Sequence, residues 1–240
     1  MQEIELKEIK RDYRSNEAYK SLRTNIEFSG EDNKVLVFTS CTPNEGKSTV
    51  TLALAQSLAE AGKKVLFIDA DLRKSVLAGR HNVNGQLKGL SHFLSGQTEL
   101  GEVMYRVKDT NMVMIFAGVV PPNPAELLGG KRFESLLTSA RKAYDYVIID
   151  APPLGSVIDA AIIAKQSDAS VLVISANTVS HKFAKVVKEQ LEKSGCPILG
   201  VVLNKVDMGQ NKYYGKYYGK YYGTYGDYGH EKEGKAEEEA

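Results

Sequence analysis

The chain is poor in cysteine, in long apolar runs and in net charge, and each shortage removes a class of protein. Its two cysteines, Cys41 and Cys196, are too few for a disulfide framework and fit a reducing cytosol. No apolar run approaches the ~18 residues that a membrane span needs. Runs such as Val171–Ser175 and Val35–Phe38 stop well short of that. The start, Met1-Gln2-Glu3-Ile4-Glu5, is acidic and lacks the basic-then-apolar shape of a secretory signal. No direct membrane insertion is therefore expected, and work at a membrane would need a partner. The formal net charge of +1 gives no drive toward nucleic acid or an anionic surface, so no nucleic-acid partner is expected. Four histidines, His81, His92, His181 and His230, show no metal-ligand spacing, and a dinucleotide fingerprint is missing.

What is present fits one well-buried α/β domain and a tail. The 240 residues are 42% hydrophobic and 25% charged, ordinary for a soluble globular protein. Apolar, Val/Ile-rich runs at Val35–Thr39, Val65–Asp69, Met112–Phe116, Tyr146–Asp150, Ser170–Ser175 and Ile198–Asn204 read as strands buried on both faces of a parallel sheet. Helical periodicity covers Asn16–Phe28, Lys47–Ala61, Lys131–Ala143, Ile158–Lys165 and His181–Lys193. Asn123-Pro124-Ala125-Glu126 has the form of a helix start, with Asn as cap and Pro in the first turn. The alternation predicts a doubly wound, mainly parallel α/β fold.

The first predicted strand runs into Cys41-Thr42-Pro43-Asn44-Glu45-Gly46-Lys47-Ser48-Thr49. This is a P-loop in which Cys41 replaces the usual first glycine, placed between a strand and a helix as the motif requires. Backbone N–H groups of such a loop point inward and the helix start adds positive potential, so a polyphosphate is favoured. Residues Thr42 to Thr49 are the expected nucleotide cradle. Lys47 would reach the β- and γ-phosphates and the Ser48 hydroxyl would ligate Mg²⁺. Cys41 reads as a small loop residue rather than a redox thiol.

Two further strand ends carry acid. Asp69-Ala70-Asp71-Leu72-Arg73 follows one, and Asp150-Ala151-Pro152-Pro153 follows another in the manner of a Walker B motif. Were the backbone to stay extended, Asp69 and Asp71 would project to the same side. Ligands of open α/β sheets gather at carboxyl ends of strands, so three carboxylates there describe a Mg²⁺–nucleotide site. Capping or turn formation is the plainer alternative for either aspartate alone. Arg73 could pair with a phosphate or form a structural salt bridge.

From residue 208 onward Gly and Tyr dominate and large aliphatics vanish. Lys-Tyr-Tyr-Gly occurs three times in succession, and eight of the chain's thirteen tyrosines fall here: Tyr213, Tyr214, Tyr217, Tyr218, Tyr221, Tyr222, Tyr225 and Tyr228. With no apolar set to bury, the tail (208–240) is expected to be disordered, with a reach of roughly 30 Å. A phosphate-handling domain (1–207) joined to hydroxyl acceptors suggests an enzyme that carries its own substrate.

The P-loop, the Asp-x-Asp-x-Arg and Asp-x-Pro-Pro strand ends, the tyrosine cluster and Gly118-Val119-Val120-Pro121-Pro122-Asn123-Pro124-Ala125-Glu126-Leu127-Leu128 together resemble the bacterial protein-tyrosine kinases of capsule and exopolysaccharide operons. The split type, a cytoplasmic kinase with a separate membrane activator, matches best. The resemblance spans roughly Asn16 to Tyr228. It implies transfer of the ATP γ-phosphate to protein tyrosines, the tail's among them as phosphoacceptors modified in trans, and control of polysaccharide synthesis and export. It implies Asp69 and Asp71 as an additional acidic motif, one as catalytic base and one on metal, the sequence leaving open which. In the site so implied Lys47, Asp69 and Asp71 are catalytic, and Ser48, Asp71 and Asp150 hold Mg²⁺, Asp150 through water. It implies a homo-oligomeric ring through Glu17, Lys20 and Arg23 on the helix at about 16–28, with Lys20 where the family carries Arg. A transmembrane activator would recruit this cytoplasmic protein to the inner face of the membrane.

Three rivals share parts of the pattern. Asn204-Lys205-Val206-Asp207 matches the guanine-reading motif of GTPases, but Ala151-Pro152-Pro153 lacks their glycine. Asn204 could instead touch an adenine edge. Partitioning and septum-site ATPases need a lysine where Thr42 stands. A nucleotide-switched assembly protein without kinase activity would need only the sticky Tyr-Gly repeats.

Overall fold

A computed structural model describes residues 1–7, 12–81 and 87–207, and the fold below is that of the unit Met1–Asn204. In chain order the elements are β1 (Gln2–Ile4), α1 (Tyr13–Phe28), β2 (Val35–Ser40), α2 (Lys47–Glu60), β3 (Val65–Asp69), α3 (Leu77–Arg80), α4 (Leu90–Leu94), α5 (Leu100–Val103), β4 (Tyr105–Val107), β5 (Met112–Ile115), α6 (Pro124–Leu128), α7 (Lys131–Ala143), β6 (Tyr146–Asp150), α8 (Asp159–Ala164), β7 (Ala169–Ser175), α9 (His181–Glu192) and β8 (Ile198–Asn204). The strands form one sheet in the order β1-β4-β5-β3-β6-β2-β7-β8. Every pairing is parallel except β4 with β5.

The central strands are apolar throughout because both of their faces are covered. Alternate residues enter opposite cores: Val35, Val37, Leu66, Ile68, Val147 and Ile149 on one side, Leu36, Phe38, Val65, Phe67 and Ile148 on the other. The first core is closed by α7 and α9. On α7, Phe133, Leu136, Leu137 and Ala140 recur at helical spacing, so one stripe is buried and the other faces water. The second core is closed by α2, which buries ten of its fourteen residues. It is apolar nearly all round because α1 lies over it: Arg23 Nη1 donates to Ser57 O at 2.9 Å and to Ser57 Oγ at 3.2 Å.

Two sequence expectations need correction. Ile198–Asn204 is a strand, but an edge one: Val201 is 54% exposed and Leu203 45%, with no helix over that face among the described residues. Asn123 stands at the cap position of α6 without a side-chain bond to the helix, which opens on Pro124. β1, β4 and the short helices α3, α4 and α5 were not legible, being three to five residues long, too short for either period to recur.

Candidate functional site

Parallel pairing brings the carboxyl ends of β3, β6, β2 and β7 to one edge. Asp69 on β3 is register partner of Asp150 on β6, and Asp150 is partner of Phe38 on β2, just before the P-loop. The loop turns there through two left-handed residues, Asn44 at φ 67° and Gly46 at φ 81°. Gly46 is the N-cap of α2, and no side chain caps that helix end. The first amides of a fourteen-residue helix are thereby left to serve an anion.

The loop's shape is set from within. Glu45 is buried, and its carboxylate accepts from Thr42 N at 2.7 Å and Ser175 N at 3.1 Å, tying the loop to itself and to the end of β7. Asn204 Nδ2 donates to Glu45 O at 2.9 Å, so the amide expected near an adenine edge braces the loop. Thr39 Oγ1 donates to Pro152 O at 2.8 Å and accepts from Leu154 N at 3.1 Å, joining the loop's root to the Asp-x-Pro-Pro segment. The approach is so close that a Cβ on Gly155 would lie 2.2 Å from Cys41 O. Cys41 is buried, and burial with Glu45 nearby pushes its thiol up to about 11, the reverse of a reactive thiolate. Pro43, Asn44 and Thr49 are exposed; Thr42, Gly46 and Ser48 are half-buried.

Lys47 is buried with its ammonium 2.6 Å from Asp150 Oδ1 and 3.3 Å from Ser48 Oγ. The pair sits beside Asp69, which is buried and accepts a short bond from Ser75 Oγ. Burial first, and then the Asp150 charge, raise Asp69 from the ordinary carboxylate range to about 7, against the opposing pull of Ser75 and Lys47. The strand itself does not extend to Asp71. β3 ends at Asp69, Ala70 N turns to Asp150 O at 2.9 Å, and half-buried Asp71 accepts from Arg73 N at 3.3 Å and Lys74 N at 2.9 Å. Asp71 therefore shapes a turn, as short acidic side chains do. Arg73 is in a salt bridge: its fork grips Asp159 at 2.7 and 2.9 Å. Ser75, Asp159 and the bracing carboxylate of Glu45 carried no sequence signal: Asp159 and Glu45 act through partners 86 and 130 residues away, and Ser75 through a turn that only the fold defines.

Of the residues expected to self-associate, Glu17 and Lys20 pair with each other at 2.7 Å on the outer face of α1, and Arg23 is engaged with Ser57. The tail tyrosines Tyr213, Tyr214, Tyr217, Tyr218, Tyr221, Tyr222, Tyr225 and Tyr228 lie outside the described residues.

The site accommodates a Mg²⁺–nucleotide in its donor chemistry. Among the described residues no cluster of three or more His, Cys, Asp or Glu could cage a metal alone. Mg²⁺ characteristically takes one or two carboxylates and completes its shell from phosphates and water. Ser48, Asp150 and Asp71 are hard oxygen donors of that kind, beside a loop suited to polyphosphate.

A parallel sheet with a strand-to-helix phosphate loop, a buried lysine after its last glycine and acidic neighbouring strand ends defines a nucleotide-binding P-loop NTPase. Residues 34–193 match the AAA domain family. The chain is 42% identical over 216 residues to the tyrosine-protein kinase CpsD of Streptococcus agalactiae, covering 90% of this chain and 89% of that protein. It is 37% identical to the tyrosine-protein kinase YwqD of Bacillus subtilis over 84% of this chain and 85% of that one. The kinase domain of the Escherichia coli tyrosine kinase Etk superposes with a TM-score of 0.74 at 35% identity, covering 80% of this chain and 77% of that domain. The chain belongs to the bacterial protein-tyrosine kinases, and not to the GTPases or partitioning ATPases that share parts of its sequence pattern.

Proposed function

We propose that this chain transfers the γ-phosphoryl group of ATP to protein tyrosine hydroxyls, its own residues 213–228 among them, and that it thereby regulates capsular or exopolysaccharide synthesis and export. The observation that carries this reading is the meeting of Lys47, Asp150 and Asp69 at adjoining strand ends beside the phosphate loop. The names of the relatives at about 40% identity support it.

Phosphoryl transfer proceeds through a loose transition state, so positioning and charge neutralisation carry most of the catalysis. The backbone N–H groups of residues 45–48 hold the phosphates. Lys47 exchanges Asp150 for the γ-phosphoryl oxygens and follows their charge as the bond to the leaving diphosphate breaks. Mg²⁺, when held by Ser48, Asp150 and Asp71, would supply further neutralisation of those oxygens. Asp69 takes the proton from the tyrosine hydroxyl late, as the new oxygen–phosphorus bond forms. An ordinary aspartate lies some six units below a tyrosine at about 10; at about 7, Asp69 is closer to its task.

Residues 1–207 form the catalytic domain and 208–240 the acceptor segment in this reading. The face of α1 bearing Glu17, Lys20 and Arg23 joins subunits into a ring, so that one subunit's tyrosines enter a neighbour's site. Among the described residues no helix is long and apolar enough to cross a membrane. A separate transmembrane activator recruits the kinase to the inner membrane face. Several phosphotyrosines, each adding about −1.5 to −2 charges, would repel neighbours and loosen the ring.

The test is incubation of purified protein with ATP and Mg²⁺. Phosphotyrosine in residues 213–228 is expected. Phosphate release without phosphotyrosine would make the protein an ATPase, and neither product would leave a nucleotide-switched scaffold.

A further inference from the structure

One ion pair near the site joins residues 86 positions apart that no motif links. Arg73 lies in the turn after β3, and Asp159 is the first residue of α8. Arg73 Nε donates to Asp159 Oδ2 at 2.7 Å and Nη2 to Oδ1 at 2.9 Å, a two-bond fork. The Asp159 side chain is wholly buried, and a buried carboxylate is stable only when paired in this way.

The same arginine reaches into the acidic turn. Its backbone N–H, with that of Lys74, is bonded to Asp71 Oδ1. One residue thus connects the start of α8 to the Asp71 carboxylate. A second rung runs beside it, from Ala70 N to Asp150 O at 2.9 Å. The turn is therefore laced at two points to the segment that begins at Asp150 and ends at Asp159. Only the first rung depends on side chains.

We infer that Asp159 is a positioning residue for phosphoryl transfer: through the fork of Arg73 it fixes the turn after β3 and with it the placement of Asp71 relative to Asp150. Asp159 touches no reacting group. The role in transfer rests on the kinase reading above, whereas the tether does not. A displacement of about 1 Å at a reacting constellation can reduce turnover about 100-fold.

The test uses the full chain with Asp159→Asn, which keeps the shape and removes the charge. Arg73→Lys keeps the charge and removes the fork, and it acts from the half-exposed partner, so a folded variant is available should the buried change fail to fold. Amide hydrogen exchange is measured without nucleotide, and kcat and KM for ATP with a tyrosine peptide. In both variants the Arg73 and Lys74 amides are expected to exchange about tenfold faster, with α7 and α9 unchanged. Turnover is expected to fall about 10–100-fold while KM for ATP moves less than about threefold. The double variant should be no worse than the worse single one, as members of one tether behave. Unchanged exchange at Arg73 and Lys74 overturns the inference. So does a loss of kcat and ATP affinity together in proportion to a fall in Tm, or additive losses in the double variant. Should the unaltered chain make no phosphotyrosine, the kinase reading fails and with it the role in transfer, and the exchange rates still decide the tether.

Discussion

Two loops meet at the edge of the sheet, and they are held in different ways. The phosphate loop is braced against the chain's own backbone: the Glu45 carboxylate takes two amides, Asn204 takes the Glu45 carbonyl, and Cys41 O lies against Gly155. The turn after β3 is held chiefly by side chains, Ser75 on Asp69, Asp71 on its following amides and Arg73 on Asp159. The first arrangement presents fixed donors to a phosphate. The second holds carboxylates under strain of charge, with Asp69 raised because it is buried next to Asp150. In the proposed reaction the cradle would grip the nucleotide and the turn would set up the acceptor hydroxyl.

Breaking the link between the two loops should have the largest effect. Lys47→Met removes the cation shared by Asp150 and the phosphates, and phosphotyrosine formation should drop by at least about 10²–10³-fold in a kinase assay. It also leaves Asp150 buried without its partner, lowering stability by about 3 kcal/mol in denaturant unfolding. Gly155→Ala attacks the cradle alone. Its methyl would meet the Cys41 carbonyl, so the loop must shift, at about 1–3 kcal/mol of overpacking, and ATP affinity should fall about tenfold by calorimetry.

Glu45→Gln sharpens the contrast further. It weakens two charge-assisted bonds in the cradle and should reduce ATP affinity several-fold, at about 1–3 kcal/mol, while amide exchange at Arg73 and Lys74 stays as it was. Asp69→Asn probes the turn instead. Asp69 keeps its proton in the folded chain up to about 7 but loses it near 3.8 when unfolded. The folded state therefore binds the extra proton between those values, and stability contributed by Asp69 declines as pH rises through them. Asn has no such proton to lose, so the variant should gain Tm over the parent at pH 8 and gain little at pH 5. The smallest effect concerns Cys41: its thiol should resist a disulfide reagent at pH 7.5 in the folded protein and react on unfolding.

How much of this was legible follows the same division. Val35–Thr39, Val65–Asp69 and Tyr146–Asp150 announced themselves because strands buried on both faces must be apolar at every position. Ile198–Asn204 looked the same and is an edge strand, since its sequence does not say that Val201 and Leu203 lie on an exposed face. The phosphate loop was readable because its function resides in backbone and a few fixed residue types. Asp69 and Asp71 were readable as acids with turn formation open to either, but which is the buried carboxylate and which the turn-former depends on where β3 stops. Ser75 and Asp159 gave no signal at all, and Glu45 was read as part of the cradle but not as its brace. Each acts through a contact made only after folding, and Asp159 reaches its arginine across 86 residues.

The most direct measurement mixes two versions of the full chain with ATP and Mg²⁺. One keeps Lys47 but has phenylalanine at the eight tail tyrosines; the other carries Lys47→Met with the tail intact. Mass spectrometry should find phosphotyrosine within residues 213–228 of the Lys47→Met chain only when the other chain is present. An unmodified tail in the mixture, or equal modification of the Lys47→Met chain on its own, would contradict the account.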